Sequence, residues 1–163
     1  MFSILLAVLF RLAGEADIPG LMNVEEDSFA AERFSPQVVR AFIERDNAFI
    51  IVAIEDKEIV GSAMAMYSDE VKEGKIASIA IVGRLRGQGI GGRLLEECEN
   101  VFKKHGLSHY SLEVETNNGP AVSLYMSRGY IAKGLINDFY GPGRHAYCME
   151  KRADDKSVKV KIS

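Results

Sequence analysis

The chain has no tryptophan, and its 163 residues include only two cysteines, four prolines and three histidines. Cys98 and Cys148 build no disulfide framework. With the scattered His105, His109 and His145 they offer no metal-ligand spacing, so no metal is expected. A reduced, cytoplasmic protein is the corresponding expectation. Excess basic charge is also missing. The net charge is −3 and the pI about 5.7, which argues against a nucleic-acid partner. The start, "MFSILLAVLF", is an apolar run of only about ten residues with no cation before it, too short to span a bilayer. No membrane partner is expected, and "LLAVLFRLA" reads as a buried first strand rather than a secretory segment.

What is present is the balance of a globular protein, 47% apolar and 26% charged. The length favours one domain, drawn over residues 1–150, with a charged tail over 151–163. "ADIPGLMNVEEDSF" (16–29) reads as a helix after Asp17, with Pro19 in its first turn. "FSPQVVRAFIERD" (34–46) reads as a second, with Ser35 as N-cap and an apolar stripe of Val38, Val39, Phe42 and Ile43. Strands are expected at 47–54, 59–68 and 75–82, the first two as an antiparallel hairpin. Composition makes the third of these buried on both faces. A long helix over 90–105 places Leu94, Leu95, Cys98, Val101 and Phe102 on one face, so Cys98 reads as a core thiol. "HYSLEVE" (109–115) is a strand. "NGPAVSLYMSR" (118–128) is a helix capped by Asn118 and ended by Gly129. A hairpin around "GPG" closes the pattern. The fold class is α+β (α/β three-layer): a mixed, mostly antiparallel sheet with about four helices.

The stretch "RGQGIGGRLL" (86–95) carries the chemistry. Gly87, Gly89 and Gly92 match a dinucleotide fingerprint, with Glu113 and Glu115 at the distance of a ribose-binding acid. Against that, "GRLR" separates the glycines from the preceding strand, and the antiparallel strands before it cannot start a doubly wound sheet. The second reading is a pyrophosphate cradle. Glycines let the backbone approach closely, and the first turn of the helix offers unpaired N–H groups with partial positive charge. Arg84, Arg86 and Arg93 add complementary charge; an empty glycine-rich turn with solvated arginines is the remaining alternative, weakened by the conformational entropy that four glycines in six residues cost.

This segment, "SIAIVGRLRGQGIGGRLLEECE", resembles the acetyl-coenzyme-A segment of the GNAT superfamily of N-acetyltransferases, a strand followed by R/Q-x-x-G-x-G/A and a helix. "LEVETNNGPAVSLYMSRGY" resembles that family's second motif. "FRLAGEADIPGLMNVEEDSF", with Arg11, Ala13 and Asp17, resembles its opening strand and helix. The likeness covers roughly residues 10–150 and is greatest to the ribosomal-protein-alanine and protein N-terminal acetyltransferases. Two departures stand out. Val82-Gly83 replaces the usual Asp-Pro, and "AAERFS" replaces a Pro-Trp-Ser-like segment that helps shape the peptide site.

The resemblance implies that acetyl-CoA is the co-substrate and that the central strand pair splays to admit its pantetheine. Backbone groups of Ile79, Ala80 and Ile81 would pair with the pantetheine. Arg86, Gly87, Gln88, Gly89, Ile90, Gly91 and Gly92 would hold the pyrophosphate, and Asn118 would touch the cofactor while capping its helix. It also implies that Tyr125 is the acid donating to the departing sulfur. Ring packing alone is the alternative for Tyr125, which shares a helical face with Ala121 and Leu124. Glu113 is the candidate base, since strand alternation sets it opposite Leu112 and Val114; a solvated strand carboxylate is the alternative. Glu115 reads as solvent-facing. Tyr140, beside Phe139, is a candidate substrate wall, with ordinary hairpin packing an equal alternative. Glu25, Glu26 and Asp27 read as a solvated helix face, with attraction of a cationic amine as the alternative.

The expected function is acetyl transfer to an amine, most simply the α-amino group of a protein or peptide. Alternatives are a small-molecule amine or a lysine as acceptor, or a non-catalytic acyl-CoA-binding module. A monomer or a homodimer is expected.

Overall fold

The computed structural model describes residues 7–29 and 33–153. The elements in chain order are β1 (Leu9–Leu12), α1 (Ile18–Ser28), α2 (Pro36–Glu44), β2 (Ala48–Glu55), β3 (Glu58–Ser68), β4 (Glu73–Ile81), α3 (Ile90–Lys104), β5 (His109–Glu115), α4 (Gly119–Ser127), β6 (Ile131–Gly141) and β7 (Arg144–Arg152). The final strand thus takes in residues 151 and 152, assigned above to the tail, and the rest of that tail beyond residue 153 lies outside the described residues, as does the start of the expected first strand.

The strands form one seven-stranded sheet in the order β1-β2-β3-β4-β5-β7-β6. Only β4 and β5 run parallel; every other neighbouring pair is antiparallel. A doubly wound dinucleotide sheet is thereby excluded. Helices cover both faces. Val39, Phe42, Leu21 and Ile18 of α1 and α2 pack on Ile50, Val52 and Met64. Leu94, Leu95, Cys98 and Phe102 of α3 pack on Ile51, Ala53, Ala63, Ala65 and Leu112. The alternation of the strands, period two, sends neighbouring residues to opposite layers.

Local signals explain the helix ends. Ser35 accepts from the Val38 amide at 3.2 Å, with Pro36 in the first turn of α2. Asn118 accepts from the Ala121 amide at 3.3 Å at the start of α4. Gly129 follows that helix with φ of 95°, a conformation that favours glycine. Arg11 reaches from β1 to Asp17 with two bonds, at 2.8 and 2.9 Å. That contact pins the chain entering α1 and holds the Asp17 carboxyl below its ordinary range.

The feature that creates a site is where β4 leaves β5. The two pair from Glu73↔His109 to Ile76↔Leu112 and no further. β4 then continues along β3, with Met64 opposite Ser78 and Ala65 opposite Ile76, so Ala77 is an extra residue. Such a bulge bends its strand. β5 meanwhile stays with β7 to Glu115↔Ala146. The far halves of β4 and β5 therefore diverge. This corrects the expectation that β4 is buried on both faces: Ala77, Ser78 and Ile79 are only partly buried because they border the opening.

Candidate active site

Between the diverging strands lies a cleft of about 720 Å³, bordered by Ala77, Ser78 and Ile79 of β4 and by Glu113, Val114 and Glu115 of β5. The end of α1, the start of α4 and the β6–β7 hairpin complete its walls.

The backbone of β4 presents alternate groups to this opening. The Val82 amide donates to the Val60 carbonyl at 2.9 Å. By alternation the amide and carbonyl of Ala80 also face β3, and those of Ile79 and Ile81 face away from it. Of the three residues expected to pair with a ligand, Ala80 is therefore already committed to the sheet. The Ile81 carbonyl accepts from Arg86 Nε at 3.0 Å and from Ser28 Oγ at 3.4 Å.

The glycine segment opens α3 as the sequence implies. Gly87 and Gly89 have φ of 77° and 90°, and no side chain caps the helix. The first bond into α3 runs from the Arg93 amide to the Gly89 carbonyl at 3.2 Å, which leaves the amides before it without intrahelical partners. Residues 86–89 are exposed, whereas Ile90, Gly91 and Gly92 are buried. Side chains of Ile81 and Leu124 close over Gly91.

The arginines are arranged differently from the expectation. Arg84 pairs with Glu55 at 3.0 Å. Arg86 turns back to the Ile81 carbonyl and to Asp27, whose Oδ2 also accepts from the Gly83 amide at 2.7 Å. Arg93 lies over the Phe10 ring and 3.5 Å from Glu97. The cation packed on the first turn of α3 is instead Arg128, whose guanidinium meets Gly92 and lies 3.8 Å from Glu96.

Glu113 projects to the α1/α2 face, opposite Leu112 and Val114, which pack in the α3 layer. Its carboxylate is not simply solvated: Oε1 is 2.7 Å from Lys75 Nζ, and the side chain is 16% exposed. Tyr125 approaches the cleft from the opposite, α3/α4 layer and is 8% exposed. Burial raises its phenol well above the ordinary value, so it keeps its proton through the alkaline range. Tyr140 borders the cleft, donating to the Glu113 carbonyl at 3.2 Å. Burial and the nearby Glu113 and Glu115 push its phenol up to about 12, against the opposing Arg144. Asn118, besides capping α4, borders the cleft.

Two expectations fail. Glu115 does not face solvent; Arg144 of β7 grips both its oxygens, at 2.9 and 2.8 Å. The acidic run of α1 is not a uniformly solvated face either. Glu25 is 2% exposed and borders the cleft, because α1 turns this position toward β4. Lys75, Phe34 and Arg144 are wall residues that sequence reasoning missed. Cys98 is fully buried and its thiol is raised by that burial, as a core role demands.

A model of the "Acetyltransferase (GNAT) family" matches residues 18–130. The chain belongs to the GNAT acetyltransferase family. It is 29% identical over 120 residues to N-alpha-acetyltransferase 30 of Schizosaccharomyces pombe, covering 72% of this chain and 80% of that protein. It is 30% identical over 117 residues to the N-alpha-acetyltransferase of Sulfurisphaera tokodaii, covering 65% and 70%. The ribosomal-protein-S18-alanine N-acetyltransferase of Escherichia coli shares the fold, with a TM-score of 0.80 at 19% identity, covering 90% of this chain and 94% of that one.

Proposed function

We propose that the protein transfers acetyl from acetyl-CoA to the α-amino group of a protein or peptide. The observation that carries this reading is the opening beyond Ile76 and Leu112, with a carboxylate, Glu113, entering from one layer and a buried phenol, Tyr125, from the other. The curated relatives named above are N-alpha-acetyltransferases, and a solved GNAT neighbour, PaiA of Thermoplasma acidophilum, is a complex with coenzyme A.

The residues present fit such a donor. Ile79 has unclaimed strand groups directed to the opening, where an amide-bearing chain would pair as a short pseudo-strand. The amides of residues 87–92, at the uncapped mouth of α3, suit a pyrophosphate. The N–H of Ile79 would polarise the thioester carbonyl.

Glu113 then takes a proton from the ammonium, directly or through one water, so that the neutral nitrogen can bond to the acetyl carbon; the second N–H proton leaves as the adduct collapses and replaces the one that Tyr125 gives to sulfur. This task is modest for an α-amine, whose reference pKa is about 7.7–8.0, and harder for a lysine at about 10.4. Tyr125 gives its proton to sulfur as the carbon–sulfur bond breaks. Burial raises its proton affinity, so the phenol is protonated near neutral pH. Among the described residues no protein group accepts from its hydroxyl, which leaves the donor free for the leaving group.

The test is release of free coenzyme A thiol with three acceptor sets: peptides with free α-amines, Nα-blocked peptides carrying lysine, and small amines. Turnover confined to the first set is expected. Turnover only with the second or third would replace the acceptor, and thiol release with none, despite donor binding, would leave a binding module.

A further inference from the structure

Three carboxylates border the cleft, those of Glu25, Glu113 and Glu115. Two are neutralised: Glu113 by Lys75 at 2.7 Å and Glu115 by Arg144 at 2.8 Å. Glu25 alone among them has no cationic partner among the described residues. One of its oxygens, Oε1, accepts from the Phe34 amide at 2.8 Å and so ties α1 to the start of α2. The other, Oε2, is buried with no hydrogen-bond partner. A carboxylate oxygen held out of water with nothing donating to it is costly, and native structures rarely keep one without use. Glu25 is 2% exposed and borders the cleft.

The surroundings favour a cation there. Glu25 lies in the last turn of α1, and Ser28 and Phe29 at that helix end also border the cleft. The carbonyl end of an α-helix carries partial negative charge. The aromatic rings of Phe29, Phe34 and Tyr140 line the same space, and ring faces attract ammonium groups.

We propose that Glu25 Oε2 is the anchor for the acceptor's amino group, taking a hydrogen bond from the α-ammonium, directly or through one ordered water, and delivering that nitrogen to Glu113. This rests on the α-amine reading given above. Glu25 is a positioning and specificity residue in this scheme, and Glu113 remains the proton acceptor for the reaction. Burial raises the Glu25 carboxyl above its ordinary range, and an arriving ammonium offsets that cost by supplying the missing donor and charge.

The test is E25Q, whose amide oxygen still accepts from the Phe34 amide while the charge is gone. The probe is a short alanine-leading peptide with a free α-amine, and its control is the des-amino form of the same peptide used as a competitive inhibitor. The expected result is a KM for the free-amine peptide raised about tenfold or more. The KM for acetyl-CoA and the inhibition constant of the des-amino peptide should both stay within about twofold of wild type. A merely structural role would weaken both peptides alike, and that result overturns the proposal. An unchanged KM for the free-amine peptide also overturns it, with wild-type turnover showing that the α-amine reading survives. Wild-type protein inert to every free-amine peptide removes both. Thermal melting of E25Q, expected at or above the wild-type midpoint, verifies that the comparison is between folded proteins.

Discussion

Lys75 Nζ lies 2.7 Å from Glu113 Oε1, across the point where β4 and β5 cease to pair. The ion pair sits at the root of the cleft, which both residues border. Glu113→Gln keeps the shape and removes the proposed proton acceptor, so kcat should fall about 10²-fold or more near neutral pH. The deficit should narrow as pH rises past about 8, because the α-amine then arrives already neutral. A pH series of initial rates for both proteins checks this.

Tyr125→Phe should lower kcat about 10²-fold while the dissociation constant for coenzyme A, measured by calorimetry, changes little. The ring stays in its packed position and only the donor is lost. Since burial raises the phenol, wild-type activity should show no decline attributable to this group at pH values up to its ordinary pKa of about 10.

The position of Arg128 against the first turn of α3 leads to a ranking of arginines. Arg84 is committed to Glu55, and Arg86 to the Ile81 carbonyl and Asp27. Arg128→Ala should therefore weaken coenzyme A binding about tenfold or more, and Arg84→Ala by less than about threefold. Equal effects, or the reverse order, would contradict the assignment.

Much of this architecture was legible in short patterns. β5 falls on "HYSLEVE" because its alternation is strict, and both Ser35 and Asn118 cap the helices they precede. What was not legible depends on contacts distant in sequence. The destinations of Arg84 and Arg86 are set by Glu55 and Asp27, brought near by the sheet and α1. Glu115 reads as exposed until Arg144 on β7 is seen beside it. Glu25 sits in a run of three acids that looks like a solvated face, and only the docking of α1 against the sheet turns it inward. The bulge at Ala77 has no glycine or proline to announce it.

Stability at pH 7 should increase in E25Q. Glu25 has a folded-state pKa raised by burial, with the Phe34 amide acting in the opposite direction. A raised carboxyl binds its proton more tightly when folded, so wild-type protein loses stability as pH climbs through that range. The advantage of E25Q should accordingly shrink as pH falls and the carboxyl becomes protonated. Thermal midpoints at a series of pH values check the sign.

Gly74→Ala tests the paired root of the cleft. A methyl group there would meet the Phe102 ring, with carbons as close as 2.6 Å. That ring is wholly buried against Phe49 and Tyr110, at centroid distances of 5.7 and 5.1 Å, and has nowhere to move. The cost should be about 1–3 kcal/mol or more, read as a lowered denaturant midpoint with an unchanged slope.

The most direct measurement is a titration of coenzyme A into isotope-labelled protein, followed through backbone amide resonances. The amides of Ile79 and of residues 87–89 should shift strongly and saturably, while that of Ala80, bonded to β3, should move far less. Saturable binding that leaves Ile79 and the mouth of α3 undisturbed would contradict the cleft between β4 and β5 as the place where the acyl donor is held.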